Sequence, residues 1–523
     1  MSSNRSLRFV QNTLSTVVYQ LTAMVMGFVT PRLMMLYYGS EVNGLIVSVT
    51  DFLTYFKMVE AGLAAAAYAA LYKPLADQDD LAISRIVSAA RRFYNVAGWC
   101  FMGLTIVFSF LYPLFVPVHE ADGGLMSYLS TVCLILAMGV SGALEFFTMS
   151  RYRVLLTADQ KTYVVSLASM VSLMLSTALI VLLPYIGMDV IIVRLAASLT
   201  ILARAFLLRR YTAKHYPRID PMATPDEKAL SGRWDALYVE LTSVLQQGAG
   251  VILATLIIRK AGILSVYGVY HMVTVGLWGV LKMMTTGIYS IFGNLRVSGA
   301  KSAFTRAFSD FECLYLMGVS ILFGAAAVLI VPFVNLYTHG VTDVNYNVPA
   351  LGLLLIAEAL TNHCKMPLDL MINASGRFRD CRKHCVAQIL VMAIAGGVLG
   401  LLGLRVSEET AICGIVIGVI LGNLTRTGCQ LSLIPAKVTG QPWQISLKRM
   451  LLMFLNAALI AVPLLIWGPV PHRFFTWVMY AAMLVLYGGV MTFILWRVFE
   501  GDSVQNLWRR AKGLLRRGGG VAE

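Results

Sequence analysis

Long apolar stretches, separated by short polar breaks, follow one another along most of the chain. A helix that spans a bilayer needs about 20 mostly apolar residues, and these stretches have that length. No alternation of apolar and polar residues recurs at the spacing of barrel strands, so the pattern favours an all-α integral membrane protein. It predicts about fourteen transmembrane helices, over residues 10–36, 44–70, 93–116, 127–150, 163–186, 190–208, 235–258, 263–293, 308–336, 348–373, 385–404, 410–435, 450–469 and 475–496.

Composition supports this class of protein. Of 523 residues, 58% are hydrophobic and only 13% are charged, against about 25% charged residues in soluble domains. The eight cysteines are scattered, mostly within apolar stretches, where Cys behaves as a small hydrophobe. Arg5 and Arg8 precede a first span that is too long for the core of a signal peptide, which predicts an uncleaved first helix.

The basic residues predict the orientation of the chain. Of the 42 Lys and Arg residues, 31 lie in the two tails and in the alternate connections that share their side of the membrane. Four lie in the opposite connections, and seven lie within spans. Cytoplasmic connections of membrane proteins carry the excess of Lys and Arg, so both termini are expected in the cytoplasm. The same sorting explains the net charge of +15 without a nucleic-acid partner.

A proline-rich connection divides the chain into two predicted lobes. Residues 209–234 contain three prolines and follow the sixth span. We therefore predict two pseudo-symmetric six-helix lobes, over 1–208 and 235–449, joined by a cytoplasmic linker. Two further helices, over 450–497, and a basic tail, over 498–523, complete the chain. The tail places apolar residues on one helical face among arginines, which favours a helix resting on anionic lipids of the inner leaflet or, more simply, a basic tail that fixes topology.

A weak internal repeat supports the two lobes. In the second span Gly44 precedes Lys57, and Gly62 follows that lysine by five residues. In the eighth span Lys282 and a later glycine have the same spacing, and Gly268 precedes them. Repeated halves are common in secondary transporters, which place their substrate site between the repeats near the midplane.

Seven cations within predicted spans, and five acids predicted at depth in them, are candidates for function. A charge at the centre of a bilayer costs about 2.5–3.5 kcal/mol, so such residues are expected to face a helix bundle or a water-filled cavity. Arg194 and Arg204 lie near span ends, where they are expected to reach the interface. The others are the cations Arg32, Lys57, Lys282, Lys365 and Arg426, and the acids Asp51, Glu60, Glu145, Glu358 and Asp369.

Some of these charges have the spacing of neighbours on one helix. Lys57 and Glu60 are three residues apart, and Lys365 and Asp369 are four apart, so ion pairs within each helix compete with a cavity role. Lys282 and Arg426 have no acid at helical spacing and are predicted cavity cations. Pro367 is expected to kink the tenth span.

No motif for catalysis, nucleotide binding or metal binding stands out. The sequence lacks the glycine-rich loop of ATPases, the Gly-x-Ser-x-Gly of hydrolases and the His-Glu-x-x-His of zinc proteases. A cluster of His and Cys residues lacks a matching second half, so no metal site and no cofactor are predicted. Its members are His363, Cys364, Cys381, His384 and Cys385.

The first seventy residues carry a family resemblance. Asn12 is followed by Thr30-Pro31-Arg32-Leu33, then by Tyr38-Gly39-Ser40-Glu41-Val42-Asn43-Gly44-Leu45 and Glu60-Ala61-Gly62-Leu63. This order resembles the start of Wzx-type bacterial polysaccharide flippases, of the multidrug/oligosaccharidyl-lipid/polysaccharide exporter (MOP) superfamily. The number of spans, the linker and the repeat agree with that architecture.

The resemblance implies a secondary transporter that works by alternating access in the bacterial cell membrane. Its expected cargo is an undecaprenyl-diphosphate-linked oligosaccharide, moved from the inner to the outer leaflet for polysaccharide synthesis, with polymerase or glycosyltransferase machinery as partners. The related lipid II flippase places cations on spans two and eight, which here carry Lys57 and Lys282. Arg426, Arg32 and Lys365 are further candidates for cargo binding. Coupling to protons, sodium or membrane potential is a property of the wider group, and the candidate residues are Glu60, Glu145, Glu358 and Asp369.

Two other functions compete with this one. A small-molecule or drug antiporter of the same superfamily would need carboxylates in its cavity to hold cationic cargo, whereas a diphosphate lipid needs cations. A membrane enzyme, such as a glycan polymerase, typically needs a sizeable outer loop, and the outer connections here have about ten residues or fewer. The deep charges lean cationic, which favours the flippase.

Overall fold

The computed structural model describes residues 2–119, 124–148, 150–220, 222–226, 248–285, 292, 301–375, 378–468, 471, 473–501, 503 and 505. Their regular structure is helical, apart from one isolated bridge between His119 and Leu125. The first helices are α1 (Ser2–Tyr38), α2 (Ser40–Phe56), α3 (Ala61–Asp77), α4 (Asp80–Phe115), α5 (Tyr128–Thr148), α6 (Ser150–Ala158), α7 (Thr162–Tyr185), α8 (Val190–Leu199), α9 (Ile201–His215) and α10 (Gly248–Ile257). The others are α11 (Ala261–Thr285), α12 (Lys301–Tyr337), α13 (Pro349–Cys364), α14 (Met366–Ser375), α15 (Phe378–Leu404), α16 (Glu408–Ile434), α17 (Trp443–Trp467) and α18 (Phe474–Phe499).

The prediction of an all-α membrane protein is confirmed. Eleven helices in the described ranges are long and apolar enough to cross a membrane. They match eleven of the fourteen predicted spans, with α8 and α9, which meet at a turn at Thr200, counted as one helix. The second and tenth predicted spans are also helical, but each is broken in the middle, and the seventh corresponds to α10, which begins where the described residues resume. The end of the eighth span and the tail beyond residue 505 lie outside the described residues.

The chain forms two compact units. The first comprises Met1–Gly268 and Gly340–Val344, and the second comprises Val269–His339 and Asn345–Glu523. The division falls within α11. The predicted lobe boundary at 209–234 stays a prediction, because the part of that linker after residue 226 lies outside the described residues.

The residues that carry the family resemblance have structural roles in the first unit. Gly39 separates α1 from α2 with φ +89°, a backbone conformation that glycine adopts without strain. Ser40 then donates its backbone N–H and its hydroxyl to Asp343, both over 2.7 Å. Asn43 donates to the hydroxyl of Ser265 over 2.8 Å, and a Cβ on Gly44 would collide with the backbone of α11. The motif therefore fixes the start of α2 against α11.

The second predicted span breaks at Lys57. Residues Lys57–Glu60 form a 3₁₀ turn between α2 and α3, which each have 17 residues. A 3₁₀ segment in the middle of an apolar helix is tighter and less well hydrogen-bonded than the α-helix around it. Both charged residues of this turn have partners on other helices, and these contacts offset the weaker backbone bonding.

The tenth predicted span breaks at Lys365. That residue lies in a turn between α13 and α14, and Pro367 is the second residue of α14. Proline has no N–H to donate to the preceding turn, but it is well tolerated in the first turn of a helix. The span is therefore interrupted next to the proline, where a kink was expected, and the helix restarts one residue before it.

In the second unit, α12 packs against α13, α17 and α18, and α15 forms a close antiparallel pair with α16. Gly414 and Gly418 of α16 lie against the backbone of α15, an approach that any larger residue would prevent. Asn456 of α17 donates to Ser320 of α12 over 2.7 Å and to Thr492 of α18 over 2.5 Å. Small residues and hydrogen bonds thus join helices that lipid alone would not drive together.

A buried arginine joins the ends of three helices in this unit. Arg449 of α17 is 1% exposed and pairs with Glu312 of α12 and with Glu500, which follows α18, both over 3.0 Å. It also donates to the carbonyl of Ser309. Burial disfavours the charged form of Glu500, but Arg449 and Lys448 outweigh burial and hold the pKa of this carboxyl below its usual range. Ion pairs as well as packing therefore hold the last two predicted spans against α12.

Candidate functional site

Glu145 of α5 is the centre of an ion-pair cluster in the first unit. Its carboxylate lies 3.0 Å from Nζ of Lys57, 3.2 Å from the guanidinium of Arg153 and 3.6 Å from that of Arg204. Arg153, on α6, also pairs with Glu60, at the end of the 3₁₀ turn. Three cations thus share two carboxylates, which leaves one net positive charge.

A cavity of about 350 Å³ lies beside this cluster, wholly within the first unit. Its described wall contains three cations and no carboxylate. Lys57 and Arg204 reach the cavity from the ion-pair cluster, while Arg194 of α8 forms no ion pair with any residue that the structure describes. The lining residues are Tyr19, Thr50, Leu53, Thr54, Lys57, Phe101, Met138, Ser141, Gly142, Ser169, Ser172, Leu173, Ser176, Arg194, Ala197, Ser198, Thr200, Ile201 and Arg204.

Hydroxyl groups make up much of the rest of the wall. Eight serines and threonines line the cavity, together with Tyr19. Several already donate to carbonyl groups of the helices: Thr50 to Ile46, Ser141 to Met138 and Ser169 to Val165. A hydroxyl that donates its proton keeps lone pairs that can accept. The wall therefore combines fixed positive charge with hydrogen-bond acceptors.

Gly142 makes room for the lysine. It lies on α5, one turn before Glu145, and a Cβ at this position would lie 3.0 Å from Cε of Lys57 and would collide with Phe101. Glu145 is more covered than its partner, since its side chain is 13% exposed and that of Lys57 is 36% exposed. Lys57 thus bridges the covered carboxylate and the open cavity.

The second unit contains a separate polar network at the break before α14. Lys365, 1% exposed, donates to Oδ1 of Asn362 over 2.6 Å and to Oδ1 of Asn423 over 3.1 Å. The amide of Asn423 donates in turn to Glu358 over 3.2 Å. Gln388 also donates to Asn423, over 2.9 Å. Side chains from α13, α15 and α16 thus surround the lysine at the break.

Arg426 extends the same network. It pairs with Asp369 of α14 and donates to Gln388 over 3.1 Å, and Gln430 donates to Asp369 over 2.6 Å. Two cations and two carboxylates therefore balance in this network, which is neutral as a group. Its cations are less available to an incoming anion than those of the first unit.

The ion pairs that the sequence spacing suggested are wrong in their partners. Lys57 pairs with Glu145 and not with Glu60, because a carboxylate from α5 reaches the break in span two. Lys365 donates to two asparagines and not to Asp369, because the turn before α14 interrupts the helical spacing.

Three arginines also differ from the sequence interpretation. Arg426 has an acidic partner, Asp369, supplied by another helix. Arg194 and Arg204 line the cavity, although their places near span ends favoured an interfacial position. Each of these contacts depends on helix packing and not on spacing along one helix.

The remaining predicted cations lie elsewhere. Arg32 is half-buried on α1 and is not among the residues that line the cavity. Lys282 lies on α11 with an exposed side chain, in the second unit. Arg153 is the residue that sequence reasoning missed, since it was assigned to a cytoplasmic connection.

His363 has a partner other than a metal. Its Nδ1 lies 2.8 Å from the hydroxyl of Tyr315, and the ring packs against Phe323 and Trp278. Among the residues that the structure describes, no group of three or more His, Cys, Asp or Glu side chains could hold a metal ion.

Taken as a class, the chain is a multi-pass membrane protein built from two helical units, with breaks in several of its apolar spans. No protein-family model matches the sequence, and no curated protein sequence matches it. Solved structures do match the fold.

The lipid II flippase MurJ, in an inward closed conformation, is similar with a TM-score of 0.64 over 93% of this chain and 99% of that one, at 13% identity. An inward-facing multidrug resistance MATE family transporter of the MOP superfamily matches with a TM-score of 0.59 over 85% of this chain and 98% of that one, also at 13% identity. A MOP superfamily transporter from Pyrococcus furiosus matches with a TM-score of 0.58 over 86% and 96% of the two chains, at 12% identity. The fold of MOP superfamily transporters, which the sequence resemblance implied, is thereby confirmed.

Proposed function

We propose that this protein is a secondary transporter that flips a lipid-linked oligosaccharide, carried on undecaprenyl diphosphate, from the inner to the outer leaflet of a bacterial cell membrane. The observation that carries the proposal is the cavity wall with Lys57, Arg194 and Arg204 and no described carboxylate. Anionic cargo fits such a wall, because each phosphate must exchange its hydration for charged hydrogen bonds before it can enter a membrane interior.

The size and chemistry of the cavity fit a head group. Pockets for small molecules have roughly 300–1,000 Å³, and this one has about 350 Å³. Two arginine forks and one ammonium can bind the oxygens of a diphosphate. The hydroxyl wall would accept hydrogen bonds from the first sugar. The lipid tail and the remaining sugars would lie outside this cavity.

The proposal assigns the other predicted residues as follows. Lys282 remains a predicted second contact for the cargo, and Arg32 a weaker candidate. Lys365 and Arg426 are assigned to the neutral network that supports the break before α14, because carboxylates and amides already engage them. Glu60, Glu145, Glu358 and Asp369 stay candidates for coupling to protons or sodium.

The drug antiporter is the second candidate, since MATE family transporters share the fold. A cationic drug would need a carboxylate in the cavity wall. The described wall offers none, and Glu145 is covered by three cations. The charge of the cavity therefore favours an anionic cargo.

Ligand binding to the purified full chain tests the proposal. Undecaprenyl diphosphate is expected to raise the melting temperature in a dose-dependent way, whereas undecaprenol, which has the same tail without charge, should not. Lys57→Gln and Arg204→Gln should each weaken the effect.

A cationic dye of the kind that drug antiporters carry is the comparison ligand. If the dye stabilises the protein and undecaprenyl diphosphate does not, the antiporter function replaces the flippase. Equal stabilisation by undecaprenol and its diphosphate would show that the tail alone binds, and would contradict the role of the cationic wall.

A further inference from the structure

Two of the three cations that line the cavity already pair with an acid that lies outside the cavity wall. Lys57 and Arg204 line the cavity, and both pair with Glu145, which is not itself a lining residue. Arg153 approaches the same carboxylate from a position that does not line the cavity. Glu145 thus pairs with two cations that line the cavity and with one cation that does not.

From this arrangement we propose that Glu145 is a built-in competitor for the anionic head group. In the empty protein it neutralises Lys57 and Arg204; when a diphosphate enters, the two cations turn to the ligand and Glu145 keeps Arg153. Glu145 is therefore a positioning residue that sets affinity and release. The inference rests on the proposed function, whose cargo it takes as the entering anion.

Two physical requirements favour such an exchange. Unpaired cations deep in a membrane protein are unfavourable, so an empty cationic cavity needs an internal counter-ion. A transporter must also release its cargo, and a site made only of free cations would hold a diphosphate too tightly for turnover. A carboxylate that pairs with the cations again when the head group leaves meets both requirements.

The geometry favours an exchange through movement of side chains. Lys57 has a flexible four-carbon stem, and its ammonium lies between the covered acid and the open cavity. At 3.6 Å from Glu145, Arg204 makes a looser contact than Lys57 at 3.0 Å. Glu145 retains Arg153 at 3.2 Å when the other two leave, so it is never an isolated buried charge.

The competitor role predicts that removing the acid tightens binding. Glu145→Gln should lower the dissociation constant for undecaprenyl diphosphate at least fivefold and slow its release, and so reduce the rate of flipping in vesicles. Glu60→Gln, which removes one partner of Arg153 and no partner of the cavity cations, should give a smaller gain. Asp159→Asn is the control, since Asp159 pairs with Lys161 away from the cavity.

A double variant separates this role from a structural one. In a Lys57→Gln, Arg204→Gln background, adding Glu145→Gln should no longer tighten binding, because the cations that it would free are gone. A tightening that persists in this background would overturn the inference. If Glu145→Gln does not fold, Glu145→Asp serves instead: the shorter acid reaches Lys57 less well, so tighter binding than wild type is expected.

The outcomes distinguish this inference from the proposed function. If wild-type protein binds undecaprenyl diphosphate but the variants at position 145 bind equally or more weakly, the competitor role is wrong and the flippase proposal stands. If wild-type protein does not bind undecaprenyl diphosphate, the flippase proposal fails, and the competitor role fails with it.

Discussion

At the scale of single residues, the site depends on one missing side chain. Gly142 leaves the space through which Lys57 passes between Glu145 and the cavity. A methyl group there would press on Cε of the lysine and on the ring of Phe101, and both would have to shift.

We therefore predict that Gly142→Ala weakens binding of undecaprenyl diphosphate by about tenfold, which corresponds to about 1.4 kcal/mol. Titration of the purified protein with the lipid measures this. Gly103→Ala is the matched control, because a Cβ at that position of α4 meets no atom within 4 Å. Unchanged affinity in Gly142→Ala would mean that the position of Lys57 does not matter for binding.

The sequence identified most of the charged residues of this site but not their partners. Glu60, Glu145 and Lys57 stood out because charge is rare in apolar spans. Their pairs join different helices, and spacing along one helix carries no information about contacts between helices. Arg153 was missed for a related reason: it lies beyond the apolar stretch, on a short helix that hydropathy does not mark.

At the scale of helices, the breaks in the second and tenth spans are the departures from regular structure that contain charged residues. Each break contains a lysine with a partner on a helix of another span, Glu145 for Lys57 and Asn423 for Lys365. The network around Lys365 also depends on Asn423, which is fully buried and joins Lys365, Gln388 and Glu358.

Asn423→Ala should therefore destabilise the protein by about 1–3 kcal/mol for each polar partner that loses its hydrogen bond. The melting temperature in detergent measures this loss. Thr425→Ala is the control, since Thr425 lies on the same helix and bonds only to its own backbone, at Leu421. Equal melting temperatures for the two variants would contradict the role assigned to this network.

The attachment of α17 and α18 to α12 gives a second prediction at this scale. Arg449→Met leaves Glu312 buried without its cation, and breaking a buried pair in this way costs about 3–5 kcal/mol. Lys448→Met, which removes a half-exposed partner of Glu500, should cost much less. Comparable losses of melting temperature in the two variants would show that the buried ion pairs of Arg449 do not hold α17 and α18 against α12.

Sequence reasoning anticipated the kink of span ten, because proline has a fixed effect on helices. It did not anticipate the break of span two. Lys57–Glu60 contains neither proline nor glycine, and the 3₁₀ turn follows from contacts with α5 and α6 that only the packed structure contains.

At the scale of the whole molecule, the helical architecture was largely predictable, because apolar length and sorted charge act locally along the chain. The orientation in the membrane remains a prediction, and single cysteines test it in a background without native cysteines. Pro117→Cys and His339→Cys, in predicted outer connections, should react with an impermeant thiol reagent added to intact cells. Gln78→Cys and His215→Cys should react only after the cells are opened, and the reverse pattern would invert the orientation.

The measurement that tests the central claim most directly is translocation in vesicles that contain only the purified protein. A fluorescent oligosaccharide on undecaprenyl diphosphate is placed in both leaflets, and an impermeant quencher reports how much of it reaches the outer leaflet. The account predicts that wild-type protein makes nearly all of the lipid accessible, while the Lys57→Gln, Arg204→Gln double variant, inserted to the same level, leaves the inner half protected. Equal translocation by the double variant and the wild type would contradict the account.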